Sequence, residues 1–344
     1  MPPKTAGKPG GRSKKDMLQD ETTEKVYRLY RKNLQAAGLA MPRKLIEKFI
    51  ILRDEKTPGN LEELALWENI GPEGMKCLAD ALREYDYKYL KEVHLWDAGI
   101  EDEGARSLSM YLINAISMRT IEIVNSKISP LGCEFIGQIF GIGSRNFILS
   151  LKLDYNNFGD AGVELLSKGL RLNQTLFHLS LAFCGITGEG ARFIMEIIIN
   201  QQCNIKDLNL QGNCLRNQGV VILFRGLMIN SSVVSVDLTD NQFGEEELVL
   251  TTLRNLVFTN KTLKTLDFTH NGFYETGAQF ILGFLTEKND EGADIVYAIN
   301  EIKLPEKISR DTLKAIEKAI KDNKKLRTKG KKKKKGKKKG KKKK

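Results

Sequence analysis

Apolar residues in this chain recur as one short motif at a nearly constant interval. The motif L-x-x-L-x-L-x-x-N stands at Leu61-Leu64-Leu66-Asn69, Leu90-Val93-Leu95, Met118-Ile121-Ile123, Ile148-Leu151-Leu153-Asn156, Leu176-Leu179-Leu181-Cys184, Ile205-Leu208-Leu210-Asn213, Val233-Val236-Leu238-Asn241 and Leu263-Leu266-Phe268-Asn271. Successive first positions lie 29, 28, 30, 28, 29, 28 and 30 residues apart, and a degenerate ninth copy, Ile299-Ile302-Leu304, follows after 36, which leaves residues 287–294 as a polar insertion. The alternation inside each copy has the period of a strand and predicts leucines on one face only. A glycine then opens a stripe at i, i+4, i+8, as in Gly74-Leu78-Leu82, Gly104-Leu108-Leu112, Gly162-Leu166-Leu170 and Gly277-Ile281-Leu285, which is the period of a helix; Glu247 takes that place in the seventh copy. One strand and one helix cannot bury both apolar faces, so neighbouring copies must stack into a parallel sheet backed by helices. Helices are wider than strands, and the stack is therefore expected to curve with its strands inside.

The polar residue after each strand stands where the chain turns away: Asn69, Ser126, Asn156, Cys184, Asn213, Asn241 and Asn271. Its side chain can satisfy backbone groups that the turn leaves open, and Ala98 breaks this ladder in the second copy. The 28 and 29 residue period with a full helix per unit resembles the ribonuclease-inhibitor-like class of leucine-rich repeats. That class also includes Ran GTPase-activating proteins, tropomodulins, the sensor domains of NOD-like receptors and many proteins of eukaryotic cilia and flagella. The resemblance spans residues 61 to 323 and implies an α/β leucine-rich repeat solenoid: a right-handed horseshoe of about nine repeats, parallel β-sheet inside, helices outside. The helical lead-in and single short arc are closest in layout to the ciliary and axonemal members.

An open stack exposes apolar surface at both ends, so caps are expected. Residues 17–57 supply one, with Val26, Leu29, Tyr30 and Leu34 on a first helix, Gly38 as its stop, Pro42 as the restart, and Leu45, Ile46, Phe49, Ile50 and Leu52 on a second. The repeats fill 58–308. Residues 309–323 form the other cap, with Ser309 at the N-cap and Leu313, Ile316, Ala319 and Ile320 on one side. Residues 1–16 and 324–344 read as basic, disordered tails.

Charge divides the chain the same way. Residues 1–15 carry five basic and no acidic residues, and 324–344 carry sixteen and none, so the intervening body has a net charge of −9 inside a chain of +12. The lysines Lys331, Lys332, Lys333, Lys334, Lys335, Lys337, Lys338 and Lys339 form a polycation expected to meet an acidic polymer, such as tubulin tails or nucleic acid. Neither a membrane span nor a signal peptide is evident, which points to a cytoplasmic protein, in a cilium or axoneme or alternatively in the nucleus. Five cysteines without a CxxC pair are expected to be free thiols, and the sequons at Asn173, Asn230 and Asn260 to stay bare.

Strand geometry predicts which side chains line the inside of the arc. They include Trp67, Glu68, Glu92, Trp96, Asp97, Glu122, Asp154, Tyr155, Phe183, Asp207, Asp237 and Asp267, a surface that is acidic throughout and aromatic in its first half. Exposed aromatics are the usual anchors of a protein interface, and carboxylates around them select a basic ligand. The expected partner is a protein with a basic or apolar docking segment, within a hetero-complex. His94, His178 and His270 stand about three repeats apart, roughly 15 Å, too far to share a metal or a triad. Gly141-Ile142-Gly143 lacks the remainder of a phosphate loop and reads as a helix terminator. With no metal, cofactor or catalytic constellation in the pattern, the chain reads as a non-enzymatic scaffold. A Ran-type GTPase-activating protein is an alternative, although those proteins end in an acidic tail. A nuclear or RNA-associated factor is the other, although the acidic inner face would repel phosphates.

Overall fold

The computed structural model describes residues 14–52 and 59–340, with side chains described for 22–52 and 59–328. Nearly all of the first basic tail and the side chains of Lys331, Lys332, Lys333, Lys334, Lys335, Lys337, Lys338 and Lys339 lie outside this range. Two helices, α1 (Lys14–Ala36) and α2 (Arg43–Leu52), lead into nine strand and helix units. The strands are β1 (Glu63–Leu66), β2 (Glu92–Trp96), β3 (Thr120–Val124), β4 (Ser150–Lys152), β5 (His178–Ser180), β6 (Asp207–Asn209), β7 (Ser235–Asp237), β8 (Thr265–Asp267) and β9 (Glu301–Lys303). They form one parallel sheet in sequence order. The helices are α3 (Gly71–Glu84), α4 (Glu101–Leu112), α5 (Pro130–Gln138), α6 (Gly159–Leu170), α7 (Gly190–Ile198), α8 (Arg216–Ile229), α9 (Glu247–Thr259), α10 (Glu275–Leu285) and α11 (Arg310–Gly340). Among the described residues no helix is long and apolar enough to cross a membrane.

Register follows the motif. Leu64 stands opposite Val93, Val93 opposite Ile121, and the line continues through Leu151, Leu179, Leu208, Val236 and Leu266 to Ile302. All of these are buried, each removing about 2 kcal/mol worth of apolar surface from water. The core is thus one continuous cluster from Val26 in α1 to Ile320 in α11.

The turn ladder alternates. Asn156 donates from Nδ2 to the carbonyls of Ile123, Leu153 and Asp154, and its Oδ1 accepts from the N–H groups of Ser126 and Ile128. Asn213 and Asn271 repeat this arrangement one and two double units along. In the intervening units Ser126 and Cys184 need only donate, to the carbonyls of Leu95 and Val124 and of Leu153 and Ala182. Asn69 departs from the expected ladder: it is exposed and caps its own turn through Gly71 N–H, while the Ala98 carbonyl takes the N–H groups of Ile70 and Gly71.

A second ladder was not apparent in sequence. The sequon asparagines Asn173, Asn230 and Asn260 each accept two backbone N–H groups within three residues, and Asn230 and Asn260 also donate to carbonyls of the preceding repeat. A third runs along the helix N-termini, where Asp102 receives the N–H groups of Ser129 and Gly132, Asp160 that of Thr187, and Glu245 those of Tyr274 and Gly277. This is why glycine opens those helices: a Cβ at Gly132, Gly190 or Gly277 would collide with the carboxylate of the preceding repeat.

Both caps form with two departures. Gly38 stops α1 at φ +67°, and Tyr30, Leu45 and Phe49 are buried, but Ile50 lies open to solvent. Helix α2 packs on β1 and, through Phe49 against Tyr27, on α1, which leaves Ile50 facing solvent. At the far end Ser309 accepts from Thr312 N–H as an N-cap, but the helix does not stop at Asn323. Asn323 and Arg327 bind the carbonyls of Ile295 and Ala298, fixing the next turns, and lysine is a good enough helix former for the backbone to continue to Gly340.

Candidate functional site

The strands alternate as the motif requires, so the residues between the leucines form the concave surface. Trp67 and Trp96 follow the paired positions Leu66 and Leu95 and are 49% and 37% exposed. Each indole has its own cation: Lys44 of α2 lies 4.1 Å from the Trp67 ring centroid, and Lys152 of β4 lies 5.4 Å from that of Trp96. The Trp96 N–H donates to Glu122 Oε2 at 3.0 Å, and the same oxygen lies 3.1 Å from His94 Nδ1. On its other side the imidazole meets Glu92 at 3.2 Å. Partial burial opposes the charged imidazole, but the carboxylates of Glu122 and Glu92 outweigh it and raise the His94 pKa above its ordinary value.

One step along the arc, Tyr155 and Phe183 stack with ring centroids 4.6 Å apart and planes within 6°. Both occupy a row of left-handed backbone just past the strands, which includes Asp97, Asn125, Tyr155, Phe183, Gly212, Asp240 and His270. The N–H of each residue from Asp97 to Asp240 in this row bonds to a carbonyl of the next repeat, holding the turn. Asparagine, aspartate and glycine suit it, whereas an aromatic ring there costs about 1 kcal/mol or more. Phe183 also lies so close over Gly212 that a Cβ at Gly212 would enter its ring. The shelf Tyr155–Phe183–Gly212 is thus held in place before any partner arrives.

The carboxylates are less available than their number suggests. Asp154 is not at the surface as expected: it is 4% exposed, accepting from the Ser180 hydroxyl and Ala182 N–H and tying β4 to β5. The Ser180 hydroxyl and Ala182 N–H of the next repeat, with Lys152 Nζ at 3.6 Å, hold this carboxylate against the sheet. Asp207 pairs with His178 at 2.7 Å, Asp267 with Lys303 at 2.9 Å, and Asp97 accepts from the Asn125 amide. Glu68 accepts from Lys44 N–H at 3.4 Å, and Asp237 from Thr239 N–H at 2.9 Å. The concave face therefore offers aromatic rings set among neutralised ion pairs. The lysines that do this, Lys48 toward Glu63, Lys152 toward Asp154 and Lys303 toward Asp267, were not singled out from sequence, nor was Lys44 over Trp67; Lys152 was legible as an inward strand position, whereas Lys44 and Lys48 reach in from the cap. The three histidines stay in separate units, and among the described residues no three His, Cys, Asp or Glu side chains are grouped to hold a metal. All five cysteines are free.

This architecture defines a leucine-rich-repeat solenoid of the α/β type. A family model described as leucine-rich repeat matches residues 146–167, 172–195, 201–223 and 259–282. The mouse ribonuclease inhibitor is 29% identical over 170 residues, 48% of this chain and 36% of the inhibitor, and the pig protein 26% identical over the same shares. Human NACHT, LRR and PYD domains-containing protein 14 is 25% identical over 178 residues, 52% of this chain and 16% of that protein. The chain thus spans about a third of the inhibitors and about a sixth of that NACHT protein. A solved yeast complex of Rad7 and Elc1 aligns over 84% of this chain and 82% of its own at TM-score 0.30 and 12% identity, too loose to bear on function. The repeats and these relatives support the ribonuclease-inhibitor-like class, whose members generally act as protein-binding scaffolds rather than enzymes.

Proposed function

We propose that this chain is a non-enzymatic scaffold that docks a protein partner on the concave face of its first five repeats, as one subunit of a hetero-complex. The observation that carries the reading is the pre-set aromatic surface: Trp96 oriented by Glu122, and Tyr155 stacked on Phe183 at a backbone conformation that such residues rarely adopt. Rings already held in place lose little freedom on binding, which favours them as anchors. Because most neighbouring carboxylates are already partnered, an apolar or aromatic segment carrying one or two cations suits the face better than a strongly basic arm. The setting we propose is cytoplasmic, in a microtubule-based assembly such as an axoneme, on the strength of the helical lead-in to the repeats.

Affinity purification with the parent chain and with Trp67→Ala/Trp96→Ala tests this. Both rings are half-exposed, so the variant is expected to melt within a few degrees of the parent and to lose its captured partner. Undiminished capture, or a large fall in melting temperature, would refute the assignment.

A further inference from the structure

The two edges of the arc differ in chemistry. Along the edge where strands pass into helices, the first helical turns carry Glu73, Glu101, Asp102, Asp160, Glu247 and Glu275. On the opposite edge, the six consecutive loops 113–119, 139–149, 171–177, 199–206, 229–234 and 259–264 contain no aspartate or glutamate. They carry Arg119, Arg145, Arg171, Lys206, Lys261 and Lys264. These loops form one rail, since Arg119, Leu149, Phe177, Lys206, Val234 and Lys264 are linked in that order by backbone hydrogen bonds. Exposed apolar side chains stand among these cations: Ile142 is 94% exposed between two glycines, Ile229 at the end of α8 73% and Phe147 56%, with Arg119 against the Phe147 ring.

Helix α1 begins and helix α11 continues on this same edge. Thr23, nine residues into α1, bonds Tyr87 in the loop after α3, so the start of α1 lies on this edge. Helix α11 is tied through Asn323 and Arg327 to the loop before β9 and continues for 17 residues, about 25 Å, on that side. The acidic insertion 287–294 interrupts the row next to α11, with Glu287 taken up by Arg254.

We propose that this edge is a docking surface for an anionic lipid bilayer. Equal strand register sets the bases of the six loops in one line along the edge, and the longest of them, 139–149, carries the fully exposed Ile142. Arginines and lysines between protruding isoleucine and phenylalanine tips suit a headgroup layer over acyl chains, where the apolar tips insert and the cations stay among phosphates. A nucleic acid or an acidic polypeptide would be held by the cations alone, leaving the aliphatic tips without a counterpart. This edge is distinct from the concave face, and the inference does not rest on the partner proposed there.

Flotation of the full chain with vesicles of phosphatidylcholine, alone and mixed with phosphatidylserine, tests it. Binding is expected only to the mixed vesicles. Ile142→Ser/Phe147→Ser should weaken it about tenfold, and Arg145→Glu/Arg171→Glu at least as much, with melting temperatures unchanged because all four side chains are exposed. The proposal is overturned if the chain ignores anionic vesicles, whether or not it binds RNA or poly-glutamate. It is equally overturned if vesicle binding survives the serine pair undiminished, since charge alone would then account for it.

Discussion

Asn156 and Asn241 look equivalent in the repeat, yet they occupy different registers of the ladder. Asn156 satisfies five buried backbone groups in two repeats, whereas Asn241 stands where Ser126 and Cys184 stand and leaves its own Oδ1 buried without a partner. Asn156→Ala should therefore cost about 3 kcal/mol or more, since it strands two N–H groups and several carbonyls. Asn241→Cys keeps a donor toward the Leu210 and Thr239 carbonyls and removes the orphan, so it should be neutral or stabilising by up to about 1 kcal/mol. Denaturant melts of both variants decide this, and equal losses at the two positions would contradict it. The motif marked both positions as structural but not the difference, because the need for a long or a short side chain is set by the neighbouring repeat. The same holds for His94, visible as an inward residue but not as one held between Glu92 and Glu122. Its raised pKa means that the stability it contributes is fully present below the unfolded value of about 6.5 and is lost as pH rises through the folded one. An imidazole titration by NMR should show the elevated midpoint, and Glu122→Gln should lower it.

Among the elements, α11 is attached by a contact that no local pattern announced. Ser309 was legible as its N-cap, but the carboxylate that completes the cap comes from Glu275, 34 residues earlier at the start of α10. Hydrogen bonds from the Thr312 hydroxyl, Ser309 N–H and the Gln279 amide hold the Glu275 pKa down to about 2. A carboxyl depressed in the folded state stabilises above its unfolded pKa of about 4.3, and the contribution disappears as pH falls from there to about 2. Protection of the amides of residues 310–323, taken relative to their intrinsic exchange rates, should thus fall in acid ahead of the central repeats, and Glu275→Gln should show the lowered protection already at neutral pH. The exposed Ile50 teaches the converse lesson about elements. Its helical spacing was correct, but periodicity cannot tell how much neighbouring surface is available at the end of a stack.

For the whole molecule, strand order, register and the single core were legible because every repeat states the same contacts, and eight copies average out local exceptions such as Ala98. The aromatic half of the concave face was legible for the same reason, whereas its ion pairs were not: they join residues such as Lys48 to Glu63 and Lys303 to Asp267 from the cap or across repeats. Stability of such a stack is a sum of unit and neighbour terms, so one junction can be cut without altering either unit. The junction between α5 and α6 is suited to this, because Gly169 packs against the Gly137 backbone so closely that a Cβ would overlap the Gly137 carbonyl oxygen. Gly169→Ala leaves the helical conformation of α6 undisturbed, and alanine is even the better helix former by about 1 kcal/mol. Any destabilisation must then come from forcing the two helices apart. The expected outcome is a loss of about 3 kcal/mol and a melt that separates into two transitions, with the repeats before Gly137 and after Gly169 unfolding independently. A single cooperative transition at the parent temperature would mean that the added methyl leaves the coupling across this junction intact.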